Sequence, residues 1–219
     1  MKASLYKIIK LLTVLLFSSL FLLPLTASAE NKVGITKNIK SLDIKYAGKT
    51  VTIERNQDTN NKLSNSFAKT SRVCPPFCVQ PMQIHPDVKT VGEIELLNFL
   101  DEDVKQNEGL LIDARLPDWF EKGTIPGSIN IPFSILDAGI ESGHAKRIIT
   151  LLGASESDDQ WDFGDVQSLL LFCNGLWCGQ SARAINNLIK MGYPAEKLFW
   201  YRGGMQSWQS LGLTVVTPK

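Results

Sequence analysis

The sequence contains few histidines and no long stretch of residues with the same charge. The only histidines are His85 and His144, so a histidine-rich metal site is excluded. The net charge is +1, without the basic excess of nucleic-acid-binding proteins or the acidic run of a charged tail. Its 219 residues and otherwise ordinary composition fit one globular domain with attachments. We therefore expect no metal, no cofactor and no nucleic acid among its ligands.

The N-terminus has no apolar run of the length that a membrane span prefers. Residues 11–25 are mostly apolar, follow three lysines in the first ten residues, and precede the small-residue sequence Ala-Ser-Ala at 27–29. This pattern predicts that residues 1–29 are a signal peptide cleaved after Ala29, with an uncleaved membrane anchor as the alternative. The mature chain is then periplasmic or secreted, without a membrane span, and disulfides are permitted there.

Residues 30–87 form a polar N-terminal extension with few core residues. Alternating apolar and polar side chains at 41–47 and 50–55 flank Gly48-Lys49, which predicts a β-hairpin. The hairpin is too small to hold a core of its own. We therefore expect it to decorate the following domain and not to form an independent binding domain.

The extension ends with a closely spaced cysteine pair, Cys74 and Cys78, separated by Pro-Pro-Phe. One interpretation is a structural disulfide that clips this loop. The other is a redox pair that exchanges with the loop holding the remaining cysteines, Cys173 and Cys178. Zinc is disfavoured because the second pair has poor finger spacing and export disfavours free thiols. Of the three pairings that four cysteines allow, Cys74–Cys78 with Cys173–Cys178 is the simplest.

From Val88 onward, short apolar segments alternate with helical patterns. The predicted strands are residues 109–113, 129–132 and 169–172. The predicted helices are residues 92–100, 145–152 and 182–191. This alternation indicates an α/β fold with a parallel sheet flanked by helices, and we assign residues 88–217 to that domain.

One stretch carries the candidate chemistry. Four large apolar residues at 169–172 lead directly into Cys173, which predicts a strand buried on both faces. Asn174 and Gly175 then take the chain into a loop, and Ser181 is predicted to cap the following helix. The helix dipole and converging backbone N–H groups favour an anion there, so the pKa of the thiol is lowered. Cys173 is therefore the candidate nucleophile, and an inert buried cysteine is the alternative.

Several motifs lie on either side of this cysteine. Downstream, its loop is followed by the helix start Ser-Ala-Arg-Ala at 181–184 and by LFWYRGGMQSW at 198–208. Upstream are LIDAR at 111–115 and GTIPGSINIP at 123–132. The downstream motifs resemble the second half of a domain of the rhodanese (sulfurtransferase) family, and the upstream motifs resemble its first half. The resemblance covers residues 88 to 216. It implies a rhodanese-like parallel sheet flanked by helices, to which the N-terminal hairpin is an extension.

The same resemblance implies that Cys173 carries sulfur. Its thiolate attacks a small sulfane sulfur donor, holds the sulfur as a persulfide and passes it to a thiol or protein acceptor. Asp113 and Arg115 match scaffold residues of the family and are predicted to be structural. The backbone of the loop is predicted to bind the anionic persulfide and donor. The loop residues concerned are Asn174, Gly175, Leu176, Trp177, Gly179, Gln180 and Ser181.

The loop departs from the family pattern. It is longer than the common rhodanese loop and is similar in this to rhodanese-related phosphatases and arsenate reductases. Those phosphatases need an arginine six positions after the cysteine, where this chain has Gly179, so phosphatase activity is excluded. Residues 174–180 also contain no lysine or arginine. Arg183 and Arg202 are therefore the predicted substrate contacts, and activity towards thiosulfate is expected to be weak.

Cys178 adds a second thiol to the same loop. It is a candidate resolving thiol that attacks a Cys173 persulfide, releases sulfide and leaves a disulfide. The alternatives are a permanent structural disulfide and two thiols that never meet. The sequence thus supports a sulfurtransferase using Cys173, with two other hypotheses left open. These are a thiol–disulfide redox protein using Cys173 and Cys178, and a non-catalytic binding module on the rhodanese scaffold.

Overall fold

Strands and helices alternate along residues 33–158 and 160–218, which are the residues that this computed structural model describes. The described strands are β1 Ser41–Tyr46, β2 Lys49–Glu54, β3 Lys89–Val91, β4 Gly109–Asp113, β5 Ser128–Asn130, β6 Ser155–Ser157, β7 Gln160–Asp162, β8 Ser168–Phe172 and β9 Leu198–Tyr201. The described α-helices are α1 Glu93–Phe99, α2 Pro117–Phe120, α3 Phe133–Leu136, α4 Gly143–Leu151, α5 Gln180–Lys190 and α6 Gly204–Ser210. The predicted targeting segment, residues 1–29, lies outside the described residues and stays a prediction.

A five-stranded parallel sheet in the order β3-β9-β8-β4-β5 forms the centre of the domain. Its middle strand, β8, is the apolar run before Cys173, and residues 169–172 are fully buried. Alternate residues of β8 pack into separate cores: Leu169 and Leu171 into one that includes α4 and α5, and Leu170 and Phe172 into one that includes α1 and α6. Both faces of the sheet are therefore covered, which is why β8 is continuously apolar. The predicted α/β fold with a parallel sheet flanked by helices is confirmed.

The predicted N-terminal hairpin is also confirmed. β1 pairs antiparallel with β2, with Ser41 opposite Glu54. The turn is one residue earlier than predicted: Ala47 and Gly48 have φ of 47° and 76°, and Lys49 is the first residue of β2. A two-residue turn with both φ positive matches the right-handed twist of the strands. Ile44 and Ile53 are buried in the same core as α1 and α6, so the hairpin shares the core of the domain.

No helix in residues 33–158 or 160–218 has the length and apolar character that crossing a bilayer requires.

Because two tyrosines are buried, we expect the free energy of unfolding to fall at high pH. The hydroxyl of Tyr193 donates to the carbonyl oxygen of Gln167 at 2.5 Å, and that of Tyr201 donates to Glu93 at 2.8 Å. Burial raises the pKa of both hydroxyls, and the Glu93 carboxylate raises the pKa of Tyr201 further. Above pH ~10 the unfolded chain loses these protons while the folded chain keeps them. Their stabilisation is therefore complete below that pH and is lost above it, at about 1.4 kcal/mol per pH unit for each tyrosine.

Urea unfolding at stepped pH measures this effect. The double variant Tyr193→Phe/Tyr201→Phe should lose free energy of unfolding more gradually above pH ~10 than the wild type. Equal slopes for the two proteins would contradict the prediction.

Candidate functional site

Cys173 is the first residue after the central strand β8. Its side chain is buried, with 2% exposed. Its carbonyl oxygen accepts a hydrogen bond from the backbone N–H of Met205 at 3.0 Å, and the carbonyl oxygen of Asn174 accepts one from the N–H of Gln206 at 2.9 Å. The first turn of α6 therefore fixes the backbone that leaves the sheet.

The loop of residues 174–180 folds back on itself before α5. The N–H of Cys178 donates to the carbonyl oxygen of Gly175 at 2.9 Å, which closes a turn. Trp177 points inward, and its Nε1–H donates to Oε1 of Gln206 at 2.6 Å. Buried indole N–H groups need such a partner. The turn and the indole anchor together bring Cys178 back towards Cys173.

The structure joins the four cysteines in the local pairing. Cys173 is bonded to Cys178 with Cα atoms 6.2 Å apart, and Cys74 to Cys78 with Cα atoms 4.6 Å apart. Oε1 of Gln180 lies 3.7 Å from the Sγ atoms of both Cys173 and Cys178. In the reduced form this amide oxygen is placed to accept a hydrogen bond from either thiol.

Asp113 and Arg115 form a buried ion pair behind the loop, with 0% and 1% exposed. Nε and Nη2 of Arg115 donate to the two oxygens of the Asp113 carboxylate at 2.8 and 2.5 Å. The same guanidinium donates to the carbonyl oxygen of Gly123 at 2.7 Å and to Oδ1 of Asn174 at 3.3 Å. Thr124 adds a hydroxyl donor to the carboxylate at 2.8 Å. These contacts tie the loop of residues 174–180 to the neighbouring 115–124 loop, as the predicted structural role requires.

Arg183 and Arg202, the predicted substrate contacts, are engaged by protein groups. Nε of Arg183 pairs with Oδ1 of Asp137 at 2.7 Å. The guanidinium of Arg202 donates to the carbonyl oxygens of Gln80 at 2.7 Å and Pro81 at 2.9 Å. Arg202 therefore holds the end of the N-terminal extension against the domain. The substrate-binding role of both arginines stays a prediction.

Ser181 does not cap α5, so that prediction was wrong. Gly179 is the N-cap residue, and Ser181 is the second residue of the helix. The Ser181 hydroxyl instead accepts a hydrogen bond from Nε1 of the buried Trp200 at 2.9 Å. The serine hydroxyl is used there because Trp200 requires a partner in the core. The helix starts at Gln180, two residues earlier than predicted.

Sequence reasoning missed that part of the extension lies on the loop. We call residues 72–80 the strap. The N–H of Gln80 donates to the carbonyl oxygen of Leu176 at 2.8 Å. The Phe77 ring meets the Trp177 ring edge-on at 5.5 Å between centroids. The strap therefore covers the loop that follows the candidate nucleophile. The only prediction that brought these two segments together was the hypothesis that Cys74 and Cys78 exchange with Cys173 and Cys178.

Arg72 is the strap residue with a charge at the loop. Its guanidinium carbon lies 3.7 Å from the centre of the Trp177 ring, a cation–π contact. Nη2 donates to the carbonyl oxygen of Ser66 at 2.8 Å. Nε is buried and has no hydrogen-bond partner among the described residues. Arg72 thus brings a positive charge, with an unused donor, to a loop that has none of its own.

Gly204 lies at a close approach between α6 and the loop, so we expect a small substitution there to have a large effect. Its φ is +55°, and an added Cβ would meet the carbonyl oxygen of Cys173 and lie 2.7 Å from the N of Gly175. We expect Gly204→Ala to lower the free energy of unfolding by about 3 kcal/mol, through backbone strain and overpacking together. We also expect it to slow any reaction at Cys173. Urea unfolding and alkylation of the reduced Cys173 measure the two effects.

Gly139→Ala is the matched control for this prediction. Gly139 has a similar φ of +71°, but an added Cβ meets nothing within 4 Å. Gly139→Ala should lower the free energy of unfolding only through backbone strain, by about 1 kcal/mol. Equal losses in the two variants would show that the close approach at Gly204 does not matter.

The described residues contain no group of three or more His, Cys, Asp or Glu side chains that could hold a metal ion.

Comparison of the sequence with models of protein families identifies the family of this domain. The model of the rhodanese-like domain matches residues 95–211, more than half of the chain. The chain belongs to the rhodanese-like domain family. The match includes Asp113, Arg115, Cys173 and Cys178, and the parallel sheet of this rhodanese-like protein begins with β3, just before the matched region. No curated protein matches the sequence.

Solved structures give further similarities. The human single-domain sulfurtransferase TSTD1 is 24% identical, with 56% of this chain and 96% of that chain covered and a TM-score of 0.40. A rhodanese from E. coli, solved with anions, is 24% identical, with 50% and 99% covered and a TM-score of 0.32. The single-domain sulfurtransferase RDL2 of Saccharomyces cerevisiae is 18% identical, with 57% and 91% covered and a TM-score of 0.41.

Proposed function

We propose that this rhodanese-like protein is a sulfurtransferase that carries sulfane sulfur as a persulfide on Cys173 and passes it to a thiol or another nucleophilic acceptor. The observation that carries the proposal is the position of Cys173. It directly follows the central strand β8 of a domain whose family match includes it. The loop and the start of α5 follow that position, and Gln180, the first residue of α5, lies 3.7 Å from the Cys173 sulfur. Backbone N–H groups at a helix start favour a thiolate and an anionic persulfide.

Each half of the reaction exchanges one sulfur–sulfur bond. The Cys173 thiolate attacks the outer sulfur of the donor, a bond forms between the two sulfurs, and the donor's remaining group leaves with the electron pair. An acceptor thiolate then attacks the outer sulfur of the persulfide, and the Cys173 thiolate is the leaving group. The number of electrons on the protein is unchanged after a full turnover, so this cycle needs no cofactor.

The loop supplies donors for the anionic states. The backbone N–H groups of Leu176, Trp177, Gly179 and Gln180 donate to no acceptor within the described part of the chain. Such N–H groups stabilise developing negative charge when they point at it. We include the guanidinium of Arg72 as the cation for an anionic donor, because it lies against Trp177 and has an unpartnered buried Nε.

A second candidate function is thiol–disulfide exchange by Cys173 and Cys178. The observation that favours it is the disulfide between these two cysteines. In the sulfurtransferase, the same bond arises when the Cys178 thiolate attacks the inner sulfur of the Cys173 persulfide and hydrosulfide leaves. The bond has to be reduced before Cys173 can accept sulfur again. An oxidising compartment, as the predicted signal peptide implies, favours the bonded form.

Cys178→Ser separates the two functions. The reduced variant should transfer sulfur from a sulfane donor to a thiol at a rate within about twofold of the reduced wild type, since Cys173 alone forms the persulfide. Its persulfide should also persist longer, because the resolving thiol is absent. Rapid mixing with a coloured thiol acceptor measures the rate, and peptide mass spectrometry measures the persulfide. Loss of sulfur transfer in the variant, with disulfide exchange in the wild type, would favour the redox function instead.

A further inference from the structure

The segments that carry the two disulfides contact each other through the side chain of Gln80. The Gln80 side chain donates to the carbonyl oxygen of Cys78 at 2.9 Å and also packs on Gly179, where it lies 3.4 Å from the position that an added Cβ would take. Gly179 is the neighbour of Cys178. One side chain therefore contacts both Cys78 of the strap disulfide, Cys74–Cys78, and the chain neighbour of Cys178 in the loop disulfide.

The two disulfides differ in how easily a large molecule can reach them. Cys173 and Cys178 are buried, with 2% and 6% exposed. Cys74 is exposed and Cys78 is partly exposed. Thiol–disulfide exchange requires one thiolate to approach a sulfur directly, so a protein thiol can attack the exposed strap disulfide but not the buried loop disulfide. Val73 and Val79, 76% and 79% exposed, offer apolar surface on either side of the reachable pair.

We propose that the strap cysteines pass electrons from an external protein dithiol to the Cys173–Cys178 disulfide. This further activity rests on the proposed function in one respect: its role would be to return Cys173 to the thiolate that accepts sulfur. The chemistry of the partner is that of a small dithiol oxidoreductase. The strap then acts as the electron entry point of the domain and not only as its cover.

The exchange balances without any other reactant. The partner dithiol first reduces the Cys74–Cys78 bond and becomes a disulfide itself. The Cys78 thiolate then attacks the sulfur of Cys178, a Cys78–Cys178 bond forms, and Cys173 leaves as a thiolate. The Cys74 thiolate next attacks the sulfur of Cys78, the Cys74–Cys78 bond reforms, and Cys178 leaves as a thiolate. Two electrons have moved from the partner to the loop, and the released thiolates take up protons according to their pKa.

The first test compares two reductants on the wild type and on Cys74→Ser/Cys78→Ser. Thioredoxin serves as the protein dithiol and tris(2-carboxyethyl)phosphine as the small reductant. Alkylation of Cys173 and Cys178, followed by peptide mass spectrometry, gives the rate at which the loop disulfide opens. We expect the double variant to lose at least about tenfold in the thioredoxin rate and less than about twofold in the phosphine rate. An unchanged thioredoxin rate, or faster opening with both reductants, would overturn the proposal, since the clip would then only hold the strap in place.

The second test traps the intermediate. The variant Cys74→Ser/Cys173→Ser keeps only Cys78 and Cys178 of the described cysteines and should form a Cys78–Cys178 bond in oxidised glutathione. The control variant Cys78→Ser/Cys173→Ser keeps Cys74 and Cys178 and should form much less of its bond. Absence of the Cys78–Cys178 bond in the first variant would overturn the proposal. Persulfide formation on wild-type protein that has been reduced with the phosphine beforehand tests the sulfurtransferase separately, because that experiment bypasses the strap cysteines.

Discussion

Cys173→Ser is expected to lower sulfur transfer from a sulfane donor to an acceptor thiol by ~10³-fold or more. The loss is this large because a serine hydroxyl is not ionised at neutral pH and cannot hold sulfane sulfur as a persulfide. The remaining loop N–H groups and Arg72 still bind an anionic donor, so the variant should keep donor binding while losing turnover. Steady-state transfer rates and donor binding by calorimetry, both on reduced protein, measure the two effects.

Cys178→Ser is the matched control for that variant. Both substitutions remove the same loop disulfide, so they change the constraints on the loop equally and differ only in which thiol remains. If the two variants lost transfer to the same extent, the effect would come from the disulfide and not from the nucleophile, and the role proposed for Cys173 would be wrong.

Arg115→Met is expected to lower the free energy of unfolding by about 3–5 kcal/mol. The substitution leaves the Asp113 carboxylate buried, with 0% exposed, and without its charged partner. It also removes the donors to Gly123 and Asn174, which connect the pair to the 115–124 loop and to the loop of residues 174–180. Chemical unfolding measures the loss, and hydrogen exchange of the 174–180 amides should increase with it.

Lys105→Met provides the comparison for the buried pair. Lys105 forms an ion pair with Asp101 one turn away on an exposed surface, and such pairs contribute about 0–1 kcal/mol. Both variants exchange a cation for methionine, so their difference isolates the effect of burial. A loss below about 1 kcal/mol for Arg115→Met would contradict a structural role for the Asp113–Arg115 pair.

The central sheet and the position of Cys173 were predictable because they depend on local patterns. A run of four apolar residues is typical of a strand covered on both faces, and Asn174-Gly175 marks where the chain leaves it. The hairpin was predictable for the same kind of reason, since alternation and a turn signal lie within fifteen residues of each other. Only its turn residues were misplaced, by one position.

The surroundings of Cys173 were not predictable, because they come from distant parts of the chain. Ser181 has every property of a helix cap, but Trp200 requires its hydroxyl in the core. Arg72 and Gln80 lie about a hundred residues before the loop that they contact. No periodicity or turn signal links such segments. The positive charge was therefore sought at Arg183 and Arg202, whose guanidinium groups contact Asp137 and the end of the strap.

The mass of Cys173 after exposure to a sulfane donor tests the proposed sulfurtransferase most directly. The wild type and Cys178→Ser, which lacks the resolving thiol, are reduced, freed of reductant, mixed with the donor and digested, and the mass of the peptide that contains Cys173 is measured. A persulfide carrier gains the mass of one sulfur atom on that peptide, loses it to a thiol acceptor, and gains nothing in Cys173→Ser. A peptide whose mass never changes with the donor, while the Cys173–Cys178 bond forms and opens with oxidant and reductant, would contradict sulfur transfer and identify a thiol–disulfide protein.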